Sequence, residues 1–121
     1  MADPVVHFEI PADDPKTAQK FYEKMFGWAF EYYKEMEYYG IKAKKDGVGI
    51  DGGMMKRKMQ GQPFMNYVMV DSVDKYLKKA KDNGGKIALD KQFIGDMGAI
   101  GAFIDTEGNL IGLHEIKSKK K

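Results

Sequence analysis

Two side chains near the start of the chain are the first that could do chemistry. His7 and Glu9 stand two residues apart in VVHFEIP. In an extended strand that spacing puts both on one face, so an imidazole and a carboxylate would meet the same ligand, or each other. The other histidine, His114, stands near the far end in IGLHEI. The chain has no cysteine, which excludes a thiolate nucleophile, a disulfide framework and a zinc finger. Nothing resembles a nucleophile–histidine–carboxylate triad. Gly95, Gly98 and Gly101 lack the lysine, the spacing and the following helix of a phosphate loop.

The elements that must position these groups come in a repeated order. Val5–Ile10 alternates and is rich in β-formers, which predicts a strand. Asp14 is placed to cap a helix with Pro15 at its first position. Ala18, Phe21, Tyr22, Met25 and Phe26 fall on one face of that helix, and Gly27 stops it. Ala29–Tyr33 and Tyr38–Lys44 read as paired strands around a turn at Lys34–Glu37, and Gly49–Met54 as a fourth strand. The pattern then restarts. Met65–Val70 is a strand. Ser72 caps a helix carrying Val73, Tyr76, Leu77 and Ala80, and Gly84-Gly85 ends it. Lys86–Phe93, Gly98–Ile104 and Leu110–Ile116 are three more strands, the last two joined by the turn Asp105–Asn109.

The order is therefore β-α-β-β-β, twice. One unit with one helix covers only one face of its sheet. Two units side by side could curl into a shared cup with a helix behind each, and the concave side would be the natural small-molecule site. On the fifth strand Met65, Tyr67 and Met69 would share the concave face, with Val68 and Val70 toward the helix. The alternative for Tyr67 is plain core packing. Tyr32, Tyr33, Tyr38 and Tyr39 flank one turn, and strand propensity alone accounts for them, although some could wall the cup. Lys56–Pro63 is the linker between modules. Its neighbours Met54, Met55 and Met59 could adapt to apolar ligands or simply tuck under the sheet.

With 121 residues the chain makes one domain, 1–121: a first module over about 4–55, a second over about 64–116, and a lysine tail at 117–121. Twenty basic residues against 18 acidic ones give a net charge of +2, which does not point to nucleic acid. The N-terminus lacks the pattern of a signal peptide, and no apolar run approaches the ~20 residues that span a bilayer. The expectation is a cytoplasmic protein with no nucleic-acid or membrane partner. The tail Lys117, Lys119, Lys120 and Lys121 reads as a solvated end, or as an anchor for phosphate or anionic lipid.

Three segments carry a resemblance to a known family: HFEIPADDPKTAQKFYEKMFGW, VDSVDKYLKKAKDNGG and DTEGNLIGLHE. Together they resemble the vicinal oxygen chelate superfamily, which includes glyoxalase I, extradiol dioxygenases and the bleomycin resistance proteins. The resemblance implies an α+β fold of two βαβββ modules, a cup-shaped eight-stranded mixed sheet with a helix packed behind each module. It also implies a metal site with four ligand positions, one on the first and one on the last strand of each module. Here those positions match His7, Met65 and Gly112, with the fourth in the region Ile50–Gly53, where Asp51 is the only donor. One ligand of four is kept, too few to hold a divalent ion.

The resemblance leaves several readings open. In the first, the chain binds a small oxygenated or aromatic molecule without the usual metal site, through His7, Glu9, Met65, Tyr67, Met69 and His114. In the second, it is a lyase or isomerase related to glyoxalase I, with a site rebuilt from His7, Glu9 and His114. Glu9 could then be the general base, or His7 and His114 with Glu9 could hold zinc, nickel, iron or manganese. A third reading is a protein–protein module. Relatives of this kind often dimerise, so a homodimer is expected.

Overall fold

The computed structural model describes residues 2–116, so the lysine tail lies outside the described residues. The α+β class and the two βαβββ modules are as the sequence predicts. The strands are β1 (Val5–Ala12), β2 (Ala29–Tyr33), β3 (Tyr38–Lys42), β4 (Gly52–Lys56), β5 (Met65–Val70), β6 (Lys86–Phe93), β7 (Ala99–Ile104) and β8 (Leu110–Glu115). The helices are α1 (Pro15–Phe26) and α2 (Val73–Asp82). Hydrogen-bonded order is β2-β3-β4-β1 in the first module and β5-β8-β7-β6 in the second. Within each module the first and last strands run parallel and the others antiparallel.

Two compact units result. One is His7–Met65; the other, among the described residues, comprises 66–116 together with 2–6. The N-terminal stretch is tied to the second unit by the Met69 amide donating to the Pro4 carbonyl at 2.9 Å and by the Tyr76 hydroxyl donating to Asp3 at 2.7 Å.

In the first unit, alternation assigns every strand residue to a face. Phe8, Ile10, Phe30, Tyr39, Ile41 and Met54 gather on the α1 side and meet Ala18, Tyr22 and Trp28. Met54 and Ile41 are essentially sealed from solvent. Helix α1 starts as its capping signals predict: the Asp14 carboxylate accepts from the Thr17 amide and hydroxyl, and Gly27 ends the helix with φ +72°. The apolar face predicted for α1 is only half used. Ala18 and Tyr22, one turn apart, pack on the sheet, whereas Phe21, Met25 and Phe26 remain more than half exposed.

Strand β4 begins three residues later than the sequence suggests. Asp51 is the reason: its Oδ1 accepts from the amides of Ala43 and Lys44 at 2.9 and 2.8 Å. That closes the loop after β3 and delays the ladder until Gly52. The following linker is pinned rather than loose. The Arg57 amide donates to Ala12 O, and its guanidinium reaches Asp13, Gln62 O and Pro11 O.

The second unit buries Val70, Val73, Leu77 and Leu113, with Val68, Tyr76 and Phe103 around them. Gly101 lets α2 approach, since a Cβ there would stand 2.6 Å from Val73 Cγ1. Ser72 caps α2 at the Lys75 amide, and Glu115, reaching over from β8, accepts from the Val73 amide at 2.9 Å. Glu115 thus faces the helix, on the side of β8 opposite His114, as alternation requires.

Candidate functional site

The face of the first unit turned away from α1 carries the first two candidates. Register defines its rows. Glu31 pairs with Gly40, Gly40 with Gly53, and Gly53 with Glu9. The next row on the same face is Tyr33, Tyr38, Met55 and Pro11. The central row is a carboxylate, two glycines and a carboxylate. Two tyrosine rings from the neighbouring row lie down over the glycines. A Cβ on Gly40 would come to 3.0 Å from Tyr33 Cε2, and a Cβ on Gly53 would overlap the Tyr38 hydroxyl and ring. Glycine inside a strand marks such a close approach.

The Tyr38 ring reaches across Gly53 to His7. Its hydroxyl is 2.8 Å from His7 Nε2, and the two rings are nearly parallel. Phenol, imidazole and the Glu9 carboxyl group therefore share one face within one step of the ladder. Glu9 is 9% exposed and is the buried charged residue of the described chain. At the other end of the row the Tyr33 hydroxyl donates to Glu31 at 3.1 Å, which raises the Tyr33 pKa above the ordinary phenol value.

The second unit repeats this geometry with different chemistry. Tyr67 pairs with Gly112 and Gly112 with Ala102, the counterpart of the Glu9–Gly53–Gly40 run. Tyr67 lies over Gly112, where a Cβ would be 2.6 Å from Cδ2 of the ring, and is itself buried. Met69 and His114 are register partners in the next row. His114 Nε2 lies 3.0 Å from the Met97 carbonyl. A carbonyl only accepts, so Nε2 is the donor in this contact. Met65 belongs to the first unit, at the start of β5.

Both last-strand positions of the expected metal set can now be placed. Gly112 stands opposite Tyr67, and its equivalent in the first module is Gly53 opposite Glu9, not Asp51, whose Oδ1 is engaged by loop amides. Neither glycine offers a donor, and a tyrosine ring covers each. Among the described residues no three of His, Asp and Glu are grouped so as to hold an ion. The residues present do not fit the four-ligand set.

Clefts also lie elsewhere among the described residues. One of about 330 Å³ runs beside the end of α2, between Tyr76, Lys79, Ala80 and Phe103. Another, about 450 Å³, surrounds Arg57 and Met59 in the linker.

The family model for the Glyoxalase/Bleomycin resistance protein/Dioxygenase superfamily matches residues 5–113. The chain belongs to this superfamily. The proteins named "Putative glyoxylase CFP32" in Mycobacterium tuberculosis and Mycobacterium bovis are 26% identical to it over 111 residues, 87% of this chain. The chain spans 42% of the length of those relatives. Among solved structures, the hypothetical protein BH1468 of Bacillus halodurans aligns with a TM-score of 0.69 at 12% identity, covering 100% of this chain and 99% of its own. The methylmalonyl-CoA epimerase of Mycobacterium tuberculosis aligns at 0.65 and 15% identity, over 94% and 88% of the two chains. That of Streptomyces coelicolor, in complex with 2-nitronate-propionyl-CoA, aligns at 0.66 and 17%, over 100% and 99%. At these identities the structures establish the shared fold.

Strand alternation put His7 and Glu9 on one face, but it did not point to Tyr38 beside them or to Glu31 and Gly40 in the same row. The signal available was glycine in mid-strand at 40 and 53, each next to aromatic or methionine residues.

Proposed function

We propose that this chain binds a small oxygenated or aromatic molecule on the face of the first module opposite α1, without the family's usual four-ligand metal site. The observation that carries the reading is Glu9, a buried carboxyl group in one row with Gly53, beside the 2.8 Å contact of His7 with Tyr38. Burying an ionisable group is costly, so such a group is a candidate for function as well as for structure. In the second module Tyr67, Met69 and His114 supply a more apolar set for the same role, with Met65 at the edge of the first. The test is a fragment screen by amide NMR of the full chain. Shifts centred on residues 7–9, 38–40 and 53 support the reading; shifts confined to other surfaces overturn it. A homodimer in the cytoplasm is part of this proposal, and sedimentation tests the assembly.

A second reading is a lyase or isomerase in which Glu9 removes a proton from a carbon acid. The methylmalonyl-CoA epimerases among the structural relatives favour it. Loss of a general base costs on the order of 10²–10⁴ in rate. Glu9→Gln should therefore abolish turnover of a coenzyme A thioester, followed as exchange of its α-proton in D₂O, while binding persists. Unchanged exchange in the variant would discard the reading.

A further inference from the structure

The row Glu31–Gly40–Gly53–Glu9 has a charge pattern that narrows the class of ligand, given that the face proposed above is the binding site. Its ends are two glutamate positions three strands apart, about 14 Å between their backbones. Its middle is not empty backbone. The Tyr33 ring covers Gly40 and the Tyr38 ring covers Gly53, so π-faces fill the space between the acids. Each tyrosine hydroxyl is held at its far end, Tyr33 on Glu31 and Tyr38 on His7. The rings are thereby fixed along the sheet rather than free to swing outward. Tyr33 is 41% exposed, so part of this surface is reachable from solvent.

An aromatic face attracts a cation through its quadrupole, and flat rings accept a flat partner. Carboxylates flanking such a surface attract positive charge and repel negative charge. On the same face the nearest strand position carrying a fixed positive charge is Lys42, one row away, opposite Ala29. We propose that this face selects a small planar cation, an aromatic amidine, guanidine or protonated amine, with Glu9 as the residue that reads its charge and the Tyr33 and Tyr38 rings as the platform on which it stacks.

The test uses three probes of one shape and three charges: benzamidine, benzamide and benzoate. Each is titrated into the whole 121-residue chain at neutral pH and followed by amide NMR. Benzamidine should shift residues 7–9, 31–40 and 53, and should bind about tenfold more tightly than benzamide, the size of a cation–π contact plus one partly screened charge pair. Benzoate should leave this face untouched. Glu9→Gln should bring benzamidine affinity down to about that of benzamide, erasing most of the preference. Glu31→Gln, at an exposed position, gives the same comparison without disturbing a buried group and should reduce the preference in part. Benzamide or benzoate binding this face as well as benzamidine would overturn the charge selection yet leave the binding face standing. If no probe shifts these residues, both the platform and the face proposed above fail together.

Discussion

At the scale of single residues, the glycines decide what the tyrosines can do. Gly53 and Gly112 occupy equivalent ladder positions, and each leaves just enough space for a phenol ring. Gly112→Ala should cost about 1–3 kcal/mol of stability, the usual range for overpacking, because Tyr67 is buried and has little room to retreat. Urea unfolding measures it. Gly53→Ala should cost less, because Tyr38 is only half buried, and Tyr38→Ala should relieve the overlap in the double variant. Strictly additive effects of the two changes would show that the ring and the glycine are not coupled. That His7 and Glu9 share a face was legible from their spacing alone. Tyr38 was not, since its hydroxyl meets a residue 31 positions away and nothing local in the sequence encodes that distance.

At the scale of elements, the helix starts were legible because capping is local chemistry. Asp14 and Ser72 cap as their sequence neighbours predict. Ser72→Ala should destabilise by about 1 kcal/mol, read as a shift in thermal midpoint. The second cap on α2 comes from Glu115, 42 residues away, and Lys91 lies 3.5 Å from the same carboxylate. Glu115→Ala leaves the Val73 amide without that acceptor. The destabilisation should exceed that of an ordinary surface substitution and appear as faster hydrogen exchange at residues 73–75. The late start of β4 belongs to this scale too. The sequence Gly49–Met54 looked strand-like, but Asp51 was claimed by the amides of Ala43 and Lys44. A side chain that satisfies two backbone donors outweighs a weak strand preference in a glycine-rich stretch.

For the whole molecule, several carboxylates tie loops together, and their protonation sets the acid limit of the fold. The Asp51 carboxyl is held below the ordinary aspartate value, first by the Lys44 amide. Asp14 is lowered chiefly by the Thr17 hydroxyl and Asp105 by the Asn109 amide. A depressed folded-state pKa means that the unfolded chain binds protons first. The stabilisation is therefore complete above the unfolded value and is lost as pH falls from about 3.8 through the folded values. Urea midpoints should be flat from neutral pH to about 5 and should drop below 4. Asp51→Asn keeps an acceptor but loses the charge, and should flatten part of that drop. At this scale also, Leu113→Ala, at a sealed position of the second core, should cost about 2–5 kcal/mol.

Periodicity, caps and turn residues determined from sequence alone that this chain forms two βαβββ modules, because each of those signals acts over a few residues. The same local rules put His7 with Glu9, Val68 with Val70, and Glu115 opposite His114. Only the tertiary structure decided which strands lie side by side, and hence that Gly40 and Gly53 adjoin, that Tyr33 and Tyr38 lie over them, and that the first module's row ends in carboxyl groups while the second module has Tyr67 in the place of Glu9. Ladder register is a long-range property, fixed by the packing of whole faces and by loops such as the one Asp51 closes. A one-residue slip would turn every side chain to the other face.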